Sequence, residues 1–186
     1  MNVAMQAYLN IGLVVSHYVK KYKRIKMSLI LIRGLPGSGK STRAKKRVSN
    51  DTSKLSHIES DIWFEKNGVY AFNPAELSNA HQWCVSSCEF LLRQDRHVIV
   101  SNVLASAAEC APYFVLADKY RVHLELSTCT ENYGSTHGVP PEKIDIMRLR
   151  FESDKRIHDI METCCLQVFY NNPYDAYTHF LNNTIL

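Results

Sequence analysis

The sequence predicts an α/β domain built on a mainly parallel sheet, and three observations carry that prediction. Residues Gly34 to Thr42 read GLPGSGKST, a full match to the G-x-x-x-x-G-K-[ST] phosphate-binding pattern, directly after the apolar run Leu29-Ile30-Leu31-Ile32. Strand-like apolar runs recur along the chain with helical patterns between them, which is the signature of right-handed βαβ units. The length of 186 residues suits one such domain with a proper core and is short for two.

The elements follow in order. Leu29 to Ile32 has the composition of a strand buried on both faces. Gly34, Gly37 and Gly39, with Leu35, Pro36 and Ser38 between them, permit a turn whose backbone N–H groups approach phosphate oxygens without a Cβ in the way. Lys40 is then placed to reach the β and γ phosphates of a nucleoside triphosphate, and Ser41 to ligate Mg²⁺. Thr42 begins a helix to about Val48, whose N-terminal amides and dipole face the phosphates. All nine residues from Gly34 to Thr42 are therefore candidate nucleotide-binding residues. Lys40 is also a catalytic candidate and Ser41 the metal ligand.

A short strand near Leu55 to Glu59 ends in Glu59-Ser60-Asp61. Asn73 suits a cap and Pro74 the first position of a helix reaching Leu92, which the charged turn Arg93 to Arg96 ends. His97 to Ser101 reads as the next buried strand, residues 106–119 as a helix containing or starting around Pro112, and Arg121 to Leu126 as an alternating strand. The polar segment Ser127 to Gly138 is a candidate lid, and Pro140-Pro141-Glu142-Lys143 opens a helix running to about Glu152. Val168-Phe169-Tyr170 and the turn Asn171-Asn172-Pro173 read as a final strand leading to a closing helix.

Composition narrows the class. Hydrophobic residues at 46% and charged residues at 22% are globular values. The net charge of +4 is concentrated at one end: Lys20, Lys21, Lys23, Arg24 and Lys26 are the only charged residues among the first 26, which leaves residues 27–186 at −1. Overall basicity is thus no argument for nucleic-acid binding. The six cysteines form no C-x-x-C pair, as expected of free thiols in a reducing cytosol. Cys84, Cys88 and His81 share a helix face and admit two readings, a metal site or buried packing against the sheet. Residues 1–26 form an apolar extension with a basic end, set apart in composition from a core domain at 27–186. Its charge follows its apolar run, the reverse of a secretory signal. Membrane contact, a working start at Met27 and a packed accessory helix all remain open for it.

Asp61 lies about twenty residues beyond Lys40 and follows the second strand, at the sheet rim where ligands bind. A carboxylate there can accept the proton of an attacking hydroxyl in phosphoryl transfer, or it can cap a turn.

The segments LILIRGLPGSGKST, HIESDIWF, FNPAELSNAHQWC, VIVSN and HGVPPEKIDIMRLRFE together resemble the polynucleotide-kinase-like P-loop ATP-binding proteins, which include phage-type 5′-hydroxyl kinases, over roughly residues 28 to 152. The resemblance implies a three-layer αβα P-loop NTPase fold with a small lid at about 127–140. It also implies ATP and Mg²⁺ as cofactors, Lys40 and Ser41 on the phosphates and metal, and Asp61 as the base. Three positions depart from the family pattern. Ser101-Asn102 stands where relatives carry an aspartate at the end of the third strand, Phe64 stands where phage-type kinases carry an arginine, and the segment Glu131 to His137 lacks the lid arginine. Arg148, Arg150 and His137 are candidate substitutes for the missing cation, and His81 and Trp83 candidate walls of an acceptor pocket.

The expected function is a cytoplasmic kinase that transfers the ATP γ-phosphate to a hydroxyl. A polynucleotide 5′ end is the acceptor the resemblance implies. A small-molecule or nucleotide kinase and an ATP-binding module with little catalysis are the competing readings.

Overall fold

Leu29, Leu31 and Ile32 are wholly shielded from solvent because the strand they form is an inner strand with helices on both sides. The computed structural model describes residues 27–51, 54–134 and 138–165, the last four by backbone alone. The expectations for residues 1–26, for Ser135 to His137 and for the strand and helix after residue 165 lie outside the described residues.

The chain forms β1 (Ser28–Arg33), α1 (Lys40–Ser49), β2 (Leu55–Ile58), a 3₁₀ turn (Ser60–Phe64) and a small hairpin of β3 (Glu65–Lys66) and β4 (Val69–Tyr70). A second 3₁₀ turn (Pro74–Glu76) leads into α2 (Leu77–Arg93) and β5 (His97–Asn102). Then follow α3 (Ala107–Tyr120), β6 (His123–Thr128), α4 (Pro141–Leu149) and α5 (Asp154–Cys165). The main sheet has the order β2-β5-β1-β6 with every pairing parallel; Leu29 lies beside Val98 on one side and Leu124 on the other.

Side chains of a strand alternate between faces, so one apolar run feeds two cores. Leu29 and Leu31 join Val98, Val100, Cys84, Cys88, Leu92, Leu116 and Ile157 on the face covered by α2, α3 and α5. Ile30 and Ile32 join Ile99, Leu55 and Ala44 on the face covered by α1. This is the three-layer αβα arrangement.

Several boundaries differ from expectation, each for a local reason. α1 starts at Lys40, two residues earlier than expected, because Gly39 adopts φ 84 and releases the chain directly into the helix. α4 ends at Leu149, before Glu152: Arg150 and Phe151 donate back to Met147 and Arg148 in a tightened last turn, and the Glu152 amide then leaves to bond Ala105 O at 2.8 Å. β6 starts at His123 because Arg121 takes the left-handed conformation that closes α3. The β3–β4 hairpin turns on Asn67-Gly68, both at positive φ, and was not anticipated. Nor was α5, although Ile157, Ile160 and Met161 have helical spacing toward the core.

The last residue of β1 is a fully buried arginine. Arg33 donates from Nε to Leu104 O at 2.8 Å, from Nη2 to Glu152 O at 2.9 Å and Ala105 O at 3.2 Å, and from Nη1 to Asp154 Oδ1 at 2.6 Å. Its guanidinium lies 4.0 Å from the centre of the Phe151 ring. Asp154 also accepts from Thr128 Oγ1 at 2.6 Å, which brings the end of β6 into the same network.

Replacement of Arg33 by Met strands these acceptors. A loss of about 3 kcal/mol of unfolding free energy is expected, the lower end for a broken buried pair because Asp154 keeps some access to water. Urea titration checks it. Arg33→Lys should recover only part of the loss, since an ammonium cannot reproduce the planar fork.

Candidate functional site

The glycine-rich turn is built at the carboxyl end of β1, on top of Arg33. A Cβ on Gly34 would run into the Ser38 hydroxyl and come within 2.6 Å of Cys129 O, so that position admits no side chain. Ser38 N closes the turn onto Leu35 O at 3.1 Å. The segment after β6 runs against this turn: Cys129 N donates to Arg33 O at 2.7 Å, Tyr133 N to Gly37 O at 2.8 Å, and the Tyr133 ring lies over Gly39.

The predicted binding residues Gly34 to Thr42 thus form one loop running into the first turn of α1. Three of their side chains fit a nucleoside triphosphate with its magnesium ion. Ser38 Oγ is buried with no hydrogen-bond partner, a polar atom directed into the turn. Lys40 is half-buried and holds Leu35 O at 3.0 Å; burial pushes its ammonium below the ordinary lysine range, against the pull of Asp61, Cys129 and Glu59. The Ser41 hydroxyl donates to the carboxylate of Glu59.

Asp61 sits on the 3₁₀ turn after β2, and Asn102 fixes that turn. Asn102 Oδ1 accepts from both Ser60 N and Ser60 Oγ at 2.9 Å, while its amide nitrogen faces Cys84 Sγ at 3.7 Å. Asp61 accepts from the Tyr70 hydroxyl at 3.1 Å. Burial, then the charge of Asp61, pushes that phenol up to about 12. Burial pushes His81 down, with Asp61 opposing. The catalytic candidates Lys40 and Asp61 therefore share one electrostatic neighbourhood with His81 and Tyr70. Trp83 packs on the core and also meets Trp63, ring centres 6.3 Å apart.

Other candidates separate from the site. Phe64 is buried and makes edge contacts with Tyr70 and Phe72, so the position of the family arginine is here the apolar anchor of the hairpin. Arg148 pairs with Asp145 on an exposed face of α4, and Arg150 is exposed at the end of that helix. Cys84 and Cys88 lie in the core, where burial raises both thiols, Cys84 to about 12, which favours packing over metal ligation. Among the described residues no group of three or more His, Cys, Asp or Glu side chains is arranged to hold a metal. Among them also, no helix is long and apolar enough to cross a membrane.

Two residues were missed. Arg43 on α1 points its guanidinium at Cys129 Sγ, 3.9 Å away, toward the segment after β6. Glu59, the residue after β2, is buried and accepts from Ser41 and from Ser101 Oγ at 2.9 Å, with His57 Nε2 at 3.6 Å and Lys45 Nζ at 3.9 Å. An acid closing an otherwise half-apolar strand was the available signal.

The AAA domain family model (AAA_33) matches residues 29–132. NEDD4-binding protein 2 of Homo sapiens is 33% identical over 103 residues, which are 55% of this chain and 6% of that protein. Uncharacterized protein PM0531 of Pasteurella multocida is 27% identical over 134 residues, 66% of this chain and 75% of its own length. Among solved structures, Chaetomium thermophilum Kti12 in complex with ADP-AlF3 gives a TM-score of 0.50 at 15% identity, covering 67% of this chain and 80% of that one. That likeness is one of fold.

His57 and His81 give the site a pH signature. Burial lowers both folded-state pKa values, so as pH falls through about 6.5 the unfolded chain takes up protons first and stability falls. The melting temperature should therefore drop between about pH 7.5 and pH 5.5. A His57→Gln/His81→Gln variant should show a flatter profile in thermal melts.

Proposed function

The chain belongs to the AAA domain family, a P-loop NTPase fold of kinase-like type, and on that premise we propose that it is an ATP-dependent phosphotransferase acting on a hydroxyl. One observation carries the reading: Asp61, two residues beyond buried Glu59 on the turn after β2, lies near enough to Lys40 of the phosphate loop for its charge to oppose the burial-driven fall of the lysine pKa. The Asn102-pinned turn that carries Asp61 supports this reading, in which the carboxylate takes a proton beside the transferred phosphoryl group.

In this reading the loop amides and Ser38 hold the β phosphate, Lys40 draws charge from the β and γ phosphates, and Ser41 ligates Mg²⁺. A magnesium ion held there by Ser41 would supply positive charge against the phosphates. Asp61 accepts the proton of the attacking hydroxyl, and the Tyr70 hydroxyl orients its carboxylate. The catalytic unit is residues 27–186 with a lid at about 127–140, a reading supported by the segment after β6 lying against the loop. Four buried free thiols among the described residues support a reducing, cytoplasmic location.

The acceptor we favour is a polynucleotide 5′-hydroxyl, supported by the family resemblance and by the Trp63–Trp83 pair as a stacking surface beside Asp61. A small-molecule hydroxyl is the second reading, favoured by the net charge of −1 on residues 27–186, which offers little attraction to a phosphate backbone.

A screen of oligonucleotides and metabolites with γ-labelled ATP tests the reading. Asp61→Asn is expected to lower transfer by about 10² to 10⁴ while nucleotide affinity stays near wild type. Lys40→Ala should lose both binding and transfer. ATP binding without transfer to any acceptor would leave a nucleotide-binding module in place of a kinase.

A further inference from the structure

A serine hydroxyl has one proton and two lone pairs, so it can present a lone pair to a cation only if its proton is directed elsewhere. In this chain the Ser41 proton goes to Glu59. The same carboxylate accepts from Ser101 Oγ at 2.9 Å, and Ser101 in turn meets His57 Nε2 at 2.7 Å. Since Ser101 has spent its only proton on Glu59, the His57 nitrogen is the donor in that contact. The result is a directed chain, His57 to Ser101 to Glu59, with Ser41 donating to the same acceptor. Glu59 is buried, and its nearest cation, Lys45, lies 3.9 Å away on an exposed side chain. This is a costly place for a carboxylate unless its charge is used.

The end of β5 supplies no acid of its own. Ser101 contributes a hydroxyl, and Asn102 is committed to Ser60 and Cys84. We propose that Glu59 is the positioning carboxylate of the metal side of the phosphate loop. It orients the Ser41 hydroxyl for magnesium, and from β2 it provides the negative charge that the β5 terminus lacks. Ser101 and His57 hold Glu59 in turn. The inference rests on the reading of Gly34 to Thr42 as the loop that holds a magnesium nucleotide, and does not require that any phosphate be transferred.

Calorimetric titration of the full chain with ADP, once in excess Mg²⁺ and once in EDTA, isolates the metal-linked gain in affinity. Glu59→Gln is expected to keep its affinity in EDTA and to lose about 10- to 100-fold of the Mg²⁺-linked gain, as outer residues of metal sites do. Glu59→Asp, which keeps the charge on a shorter stem, should retain an intermediate gain and serves if the Gln variant melts too early. Adding Ser101→Asp to Glu59→Gln should restore the gain, because it returns a carboxylate to the same hydrogen-bond network from β5. A full Mg²⁺-linked gain in Glu59→Gln would overturn the proposal, since a purely structural glutamate would shift melting and leave metal linkage alone. Wild-type protein that binds no ADP would overturn it together with the loop reading. Protein that binds ADP with normal metal linkage but transfers nothing would sink only the kinase.

Discussion

The guanidinium of Arg33 must find an acceptor for the N–H groups it buries, and that demand organises the molecule beneath the phosphate loop. Leu104 and Ala105 come from the chain leaving β5, Glu152 and Asp154 from the approach to α5, and Phe151 covers the flat face. Asp154 then takes the Thr128 hydroxyl from the end of β6. The carboxyl ends of β5, β1 and β6 are thereby tied to one another at the residue before Gly34. A loop whose amides must converge on a phosphate needs its entry point held, because misplacement of about 1 Å weakens every bond it makes.

Above that floor, the polar residues divide their tasks by strand. The end of β5 offers neutral groups, Ser101 and Asn102, against the buried thiol of Cys84, where a second negative charge would have no counter-ion. The end of β2 offers both acids. Glu59 turns inward to Ser41 and Ser101, and Asp61, on the 3₁₀ turn, turns outward to Tyr70. The turn lets two carboxylates so close in sequence have different neighbours and so different work. Asn102 suits its position because an amide can accept from Ser60 and still present a donor to sulfur, whereas an aspartate would present a second acceptor.

The parallel sheet, the loop and most helices were legible in the sequence because local signals and tertiary demands agree there: apolar runs at Leu29 and Val98, the glycines of the turn, the Asn73-Pro74 start. The Asn73 side chain does accept from Ala75 N at 3.1 Å. What escaped depended on long-range partners. Arg33 reads as an ordinary charge at a strand end until carbonyls more than seventy residues away close around it. Glu59 was visible, but its tie to Ser41 depends on the pairing of β2 beside β5, which no local pattern states. The end of α4 was misjudged because Glu152 leaves the helix for Ala105, a bond between distant segments. Phe64 was noted only as a missing arginine; its packing on Tyr70 and Phe72 required the hairpin that Asn67-Gly68 makes.

The Arg33 network also has an order in time. Arg33 and Asp154 are 121 residues apart, so at ribosomal rates of about 5 to 20 residues per second the arginine exists for roughly 6 to 24 s before its carboxylate has been made. β5 is completed at Asn102, part-way through that interval, so β1 can pair with it before Asp154 is made, while the Nη1 side of Arg33 still lacks its carboxylate and the loop above it an intact floor. The nascent chain therefore acquires its sheet before it can acquire a rigid phosphate loop. A product truncated before Asp154 would carry the whole GLPGSGKST motif on a foundation that cannot close.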